Sequence, residues 1–191
     1  MDELKRIYLI LVLLPTISII MVIGIIVLIA QSSSAEPSIM LTISEFSIPF
    51  KEDINYVITS KFGLRIDPFD ETETFHDGID LAVPEGTEIV ASLDGVVVEV
   101  GYQENGLGNY VYIEHKVNDI IFYTAYGHME DDSIVVSEKQ IISANEKIGL
   151  VGQSGKATGI HLHFSIMTPK LKFSKEYLVD PQPIFDIDLI S

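Results

Sequence analysis

Two histidines one residue apart, His161 and His163, lie in the run Ile160-His161-Leu162-His163-Phe164. The alternation of apolar and polar residues predicts a strand. In a strand, residues two apart share a face, so both imidazoles point to one side and Leu162 and Phe164 to the other. In a helix of about 3.6 residues per turn the pair would diverge. A convergent imidazole pair needs something to converge on, and the segment Phe75-His76-Asp77-Gly78-Ile79-Asp80-Leu81 supplies candidates. His76 and Asp80 are four apart, a spacing that shares a face on a helix or a strand. Gly78, with Pro84 and Gly86 soon after, disfavours the helix. In an extended segment His76, Gly78 and Asp80 face one way, Ile79 and Leu81 face the core, and Gly78 leaves room for an ion or a substrate backbone.

Two imidazoles and a carboxylate suit Zn²⁺, whose catalytic sites keep three protein ligands and one open position. His76, Asp80 and one of His161 and His163 make three. The remaining member of the pair, with His128 of Tyr126-Gly127-His128-Met129, would stand beside the ion without binding it. A general base or a transition-state donor is needed there. His115, at the end of a predicted strand, reads as structural.

The elements that must position these residues are short and β-rich. Val90–Ser92 and Val96–Val100 flank Asp94-Gly95, a two-residue hairpin signal. Asn105 to Asn109 is a turn, and the aromatic and β-branched run Tyr110–Glu114 is a strand. Asn118-Asp119 turns into a strand over Ile120–Tyr126. Short strands are expected at 134–136, 141–142 and 148–151, and a last edge strand at 184–190. Tyr110, Tyr112, Phe122 and Tyr123 read as sheet packing. The glycine-rich Gly152 to Gly159 reads as a loop, either of ordinary turn residues or also forming one wall of a groove. The expected fold is mainly β, a single antiparallel domain of two sheets forming a groove, behind one N-terminal transmembrane helix.

Residues 7–30 carry no charge over 24 positions. At about 1.5 Å per residue, such a helix spans a hydrocarbon core of about 30 Å. A cleaved secretory signal is the rival, since Ser33 and Ala35 suit a small-residue cleavage site, but a signal's apolar region runs only about 7–15 residues. Lys5 and Arg6 precede the span, which keeps the N-terminus cytoplasmic and sends the remainder outside. The expected order is a cytoplasmic tip (1–6), an anchor (7–30), a juxtamembrane linker (31–55) and the extracytoplasmic domain (56–191).

Composition narrows the partners. The 191 residues include no cysteine, which excludes disulfides and thiolate-bound zinc. Twelve basic against 28 acidic residues leave a net charge of −16. That argues against nucleic acid, which needs clustered Lys and Arg, and against electrostatic attraction to an anionic surface.

The set HDGID, YGHM and HLHF, with ITSKFGLR upstream and VPEGTEIVASLDGVV between, closely resembles the lysostaphin-type zinc endopeptidases that cut bacterial cell-wall peptides. The resemblance runs from about Val57 to Pro181 and implies one Zn²⁺ per chain. By it, His76, Asp80 and His163 bind the metal, and the family's two non-ligand catalytic histidines match His128 and His161. The residues alone do not choose His163 over His161. The implied substrate is the peptide part of peptidoglycan, and the implied location is the outer face of the cell membrane. A regulatory envelope partner is left open. Some members of the family have lost a ligand and serve as scaffolds; here all five positions are filled. A carrier domain of lipoyl or biotinyl type would share the hairpin style of VPEGTEIVASLDGVVVEVG, but its tip is Leu93-Asp94-Gly95, without the lysine such a carrier modifies. Asp67–Glu73 and Lys170–Lys175 are expected to form walls of the groove.

Overall fold

In the computed structural model, residues 45–186 are described. The expected tip, anchor and first part of the linker lie outside the described residues. Among the described residues no helix is long and apolar enough to cross a membrane.

The described chain is mainly β, and every strand pairing is antiparallel. In order come β1 (Val57–Ser60), β2 (Gly63–Ile66), β3 (Glu73–His76), β4 (Ile79–Ala82), β5 (Glu88–Val90), β6 (Gly95–Gln103), β7 (Gly108–Val117), β8 (Ile120–Met129), β9 (Ile141–Ile142), β10 (Lys147–Leu150), β11 (Leu162–Met167), β12 (Leu178–Val179) and one short helix, α1 (Gln182–Asp186). One sheet runs β1-β4-β11-β8-β7-β6-β9, with β12 also paired to β11. Two separate two-stranded sheets, β2-β3 and β5-β10, stand where a single second sheet was expected.

The hairpin β7-β8 is the longest pairing. Its loop is Asn118-Asp119, both at positive φ (49° and 65°), the two-residue turn that matches strand twist. Asp94-Gly95, by contrast, closes no hairpin. β5 pairs with β10, and β6 with β7 and β9. The residues between β5 and β6 are spent on the core: the Ser92 amide donates to the Tyr126 hydroxyl (2.9 Å), and its carbonyl accepts from the Ser47 amide (2.9 Å). Residues 134–136 form no strand, and 182–186 are helical, because the Asp180 carboxylate accepts from the Gln182 amide and Pro181 precedes it.

The core lies on one face of the large sheet. Ile79, Leu81, Leu162, Phe164, Tyr126 and Ile166 are fully buried, each side chain contributing about 1.5–3 kcal/mol. Both ends of the described chain close over it. Phe46 and Phe50 are buried, and Phe185 packs edge-on against Tyr56 and Phe164. The folded unit therefore takes in residues from the C-terminal end of the expected 31–55 linker. On the opposite face Tyr110 and Tyr112 stack at 4.5 Å, with Leu171 and Leu178 of the segment after β11 packed against them.

His115 is entirely buried. Its Nδ1–H donates to the Asp94 carbonyl (2.9 Å), and its Nε2 meets the Thr124 hydroxyl at 2.8 Å. That hydroxyl in turn lies 3.1 Å from the Tyr126 hydroxyl. With Nδ1 protonated, Nε2 accepts from Thr124, whose oxygen then accepts from Tyr126; hydroxyl rotation permits this. Burial lowers the His115 pKa to about 4. The native state thus favours neutral His115, and the unfolded chain protonates near 6.5. The resulting stability, about 3 kcal/mol for a shift of this size, is present above pH 6.5 and is lost as pH falls toward 4. Urea midpoints of metal-free protein should drop more steeply between pH 7 and 4.5 than those of His115→Gln. Parallel pH curves would refute this.

Candidate metal centre

Register builds the centre. His163 of β11 lies opposite Asp80 of β4 on one side and Gly127 of β8 on the other. Asp80 and His163 therefore project from one row on the face away from the core. The neighbouring rows carry Leu81 with Leu162, and Ile79 with Phe164 and Tyr126, into the core. His161 precedes β11 by one residue and shares the His163 face.

His128 would break this alternation, because Tyr126 is a core residue and residues two apart share a face. The β7-β8 register slips here: Asn109 faces Met129, but Val111 faces Tyr126. The extra residue on β8 is a bulge, and His128 takes φ 59°. The bulge turns its ring toward the metal-side face. A non-glycine residue held in this region costs about 1–3 kcal/mol and such strain clusters at functional sites.

His76 arrives from the separate β2-β3 hairpin, at the end of β3. The Asp77-Gly78 bend then breaks the strand before β4, so 76–80 is not one extended run. The room at Gly78 also serves a different purpose from the one expected. A Cβ there would collide with the Phe164 carbonyl oxygen and lie 2.9 Å from His163 Nε2. Gly78 lets the bend press against the back of β11. Gly78→Ala should therefore cost about 1–3 kcal/mol of stability, against the usual stabilisation of about 0.4–1 kcal/mol for Gly→Ala at an unstrained site. It should weaken metal binding at the same time. An unchanged melting temperature would contradict this packing.

Three donor atoms converge. His76 Nε2 lies 3.1 Å from Asp80 Oδ1 and 3.1 Å from His163 Nδ1, and His163 Nδ1 lies 2.9 Å from Asp80 Oδ1. Tetrahedral zinc with bonds of about 2.0–2.1 Å separates its donors by roughly 3.3 Å. The set fits zinc after shifts of a few tenths of an ångström. The remaining atoms of these groups are held from behind. His76 Nδ1–H donates to the Lys61 carbonyl (2.9 Å), and Arg65 donates to Asp80 Oδ2 (3.2 Å). His163 Nε2 lies 2.8 Å from Ser165 Oγ and 3.2 Å from Asp77 Oδ1. Asp77 can also be grouped with His76 and His163 as a candidate ligand. It touches the outward nitrogen of His163, however, and Asp80 touches the inward one.

Electrostatics match a cation site. Burial alone would raise the Asp80 pKa, but the hydrogen bond from His163, with the adjacent His76 ring, holds it far below the usual carboxylate range. Burial alone would lower that of His163, but Asp77 and Asp80 lift it to about 9. The metal-free cluster keeps a proton on His163, which an incoming cation displaces.

His161 Nε2 stands 3.6 Å from Asp80 Oδ1. The His128 and His161 rings lie 4.7 Å apart between centroids. Each pins its Nδ1–H to a carbonyl, His128 to Ser154 and His161 to Gly159, both at 2.8 Å. This fixes both as the tautomer with a lone pair on Nε2. Burial lowers both pKa values. The neighbouring His163 and His161 deepen the effect at His128, to about 4, and Asp80 partly offsets it at His161. Both rings are neutral at pH 7.

The centre opens into a cleft of about 440 Å³. Asp67 and Phe69 line one wall and Lys156 the other, with Phe173 also on the lining, so parts of both segments expected to wall a groove do so. Lys156 Nζ reaches across to Asp67 Oδ2 (3.0 Å) and lies 4.7 Å from the Phe69 ring centroid. Arg65, Asp77, Ser154 and Ser165 were not singled out by sequence. Ser165 was findable, since it is two residues from His163 on the same strand face.

Residues 74–181 match the family model described as Peptidase family M23. The chain is 40% identical over 107 residues to the DD-carboxypeptidase/endopeptidase Mpg of Neisseria meningitidis serogroup B, covering 56% of this chain and 23% of that protein. It is 36% identical over 116 residues to the peptidoglycan DD-endopeptidase ShyA of Vibrio cholerae serotype O1, covering 60% and 26%. The chain thus spans about a quarter of the length of these relatives. Among solved structures, a zinc-containing peptidase from Vibrio cholerae superposes with a TM-score of 0.59 at 32% identity, covering 72% of this chain and 39% of that one.

Proposed function

Starting from the fact that this chain belongs to peptidase family M23, a metallopeptidase family, we propose that it hydrolyses peptide bonds in the stem or cross-bridge peptides of bacterial peptidoglycan. The observation that carries this reading is the three-donor cluster at 2.9–3.1 Å with two neutral histidines beside it. The names of the Neisseria and Vibrio relatives support the substrate class.

His76 Nε2, Asp80 Oδ1 and His163 Nδ1 would hold one Zn²⁺. Zinc there supplies Lewis acidity, polarising the scissile carbonyl and bringing the pKa of water from about 15.7 toward about 7. The chain's own residues do the proton work. Both Nε2 atoms of His128 and His161 are acceptors at rest, so either takes a proton from the attacking water. Once protonated, that ring becomes a donor, able to stabilise the developing oxyanion or to deliver the proton to the leaving amine. The cleft walls align an extended peptide.

The uncharged run 7–30 supports a single-pass anchor with the N-terminus cytoplasmic and the domain outside, where peptidoglycan lies. The test is direct. Full-length protein is incubated with purified sacculi, and released peptides are identified by mass spectrometry. Zinc-loaded protein should open peptide bonds, chelator should stop it, and added Zn²⁺ should restore it. Intact sacculi after incubation with fully zinc-loaded protein would overturn the substrate assignment.

A further inference from the structure

We infer that Asp77 is a positioning residue of the metal centre: it grips the outward nitrogen of His163 and aims the inward nitrogen at the ion. His163 is almost completely buried, and its ring has two edges. Nδ1 faces Asp80 Oδ1 at 2.9 Å and His76 Nε2 at 3.1 Å. Nε2 faces Asp77 Oδ1 at 3.2 Å and Ser165 Oγ at 2.8 Å. A carboxylate behind a ligating imidazole fixes its tautomer and orientation and makes the metal-facing nitrogen a better donor.

The bend explains how Asp77 gets there. His76 ends β3 and Asp80 lies in β4, and the two residues after His76 must turn the chain. Gly78 carries no Cβ, so the bend closes on Phe164, Ser165 and His163. That contact brings the neighbouring Asp77 to the back of the His163 ring. One five-residue segment therefore supplies two ligands and the carboxylate behind the third.

The competing role is direct ligation by Asp77 alongside His76 and His163. It fails on geometry. One imidazole cannot present both nitrogens to one ion, and Asp77 and Asp80 hold opposite nitrogens of the same ring. Seating Asp77 on the ion would require His163 to turn over. Its Nε2 would then leave Ser165 Oγ.

This inference rests on the metal reading above, and one set of titrations separates the two. The full chain and its Asp77→Asn, Asp77→Glu, Ser165→Ala and Asp80→Ala variants are titrated with Zn²⁺ against a chromophoric chelator. Stoichiometry is measured alongside affinity. If the parent binds no zinc, the metal reading itself fails. If it binds, Asp77→Asn should keep one zinc per chain with affinity weaker by about 10- to 100-fold. Asp77→Glu, which keeps the charge, should recover part of that loss. The zinc-free melting temperature of Asp77→Asn should fall, because the metal-free protein also loses a partner of the His163 ring, so zinc affinities are compared well below both transitions. Asp80→Ala should lose stoichiometric zinc. Parent-like affinity in Asp77→Asn overturns the inference. Loss of zinc in Asp77→Asn with retention in Asp80→Ala overturns it too, by making Asp77 the ligand.

Discussion

His163→Ala is expected to lose stoichiometric zinc and to bring sacculus hydrolysis to the uncatalysed background. The ring supplies one corner of a three-donor cluster whose sides measure 2.9–3.1 Å. Removing it leaves His76 and Asp80, too few for a zinc site that keeps three protein ligands. Affinity should fall by more than the about 100-fold that loss of an outer partner costs at most. The two carboxylates beside the ring, Asp77 and Asp80, would then face a cavity without the positive charge that His163 carries in the metal-free protein. Metal content by atomic absorption and hydrolysis on the same sample are the readouts. Full activity with no bound metal would end the zinc mechanism.

His128→Ala and His161→Ala should behave oppositely: each keeps one zinc, and each loses turnover. General acid–base groups contribute about 10²–10⁴-fold, and that is the expected fall in kcat for either variant. The effects should not simply add in the double variant, because the two rings lie 4.7 Å apart between centroids and neighbouring sites are not independent. The pH profile sharpens the point. Both pKa values are depressed, that of His128 to about 4, so the basic form is present throughout the neutral range. A variant of either histidine with parental kcat and bound zinc removes that residue from the mechanism.

Much of the candidate centre is legible in the sequence alone. The alternation around His161 and His163 put both rings on one face, and the register of β11 against β4 and β8 agrees. His76 and Asp80 were found by spacing, though through a strand that is really two strands and a bend. What sequence could not reveal was non-local. Asp94-Gly95 carries a hairpin signal, yet Ser92 is committed to Tyr126 and Ser47, and tertiary contacts override the local turn. Asp77 looks like a spacer until the bend folds it behind a ring 86 residues away. The bulge at His128 has only Gly127 as its mark in Tyr-Gly-His-Met, since the slip itself is defined by the pairing with β7. The 182–186 helix lost to a β reading because Phe185, Ile187 and Leu189 alternate in sequence with Asp186 and Asp188, a period of two.

The β2-β3 hairpin pairs with no strand of the main sheet, yet it delivers His76. A metal gripping His76 together with Asp80 and His163 would therefore work as a clasp, adding to the Arg65–Asp80 and Lys156–Asp67 ion pairs that tie this flap to the body of a molecule without cysteine. Starving such a molecule of its cation would free the flap as well as silence the chemistry. Foreign proteases should nick the metal-depleted form first within 67–72, so that scarcity of the ion would shorten the lifetime of the whole protein.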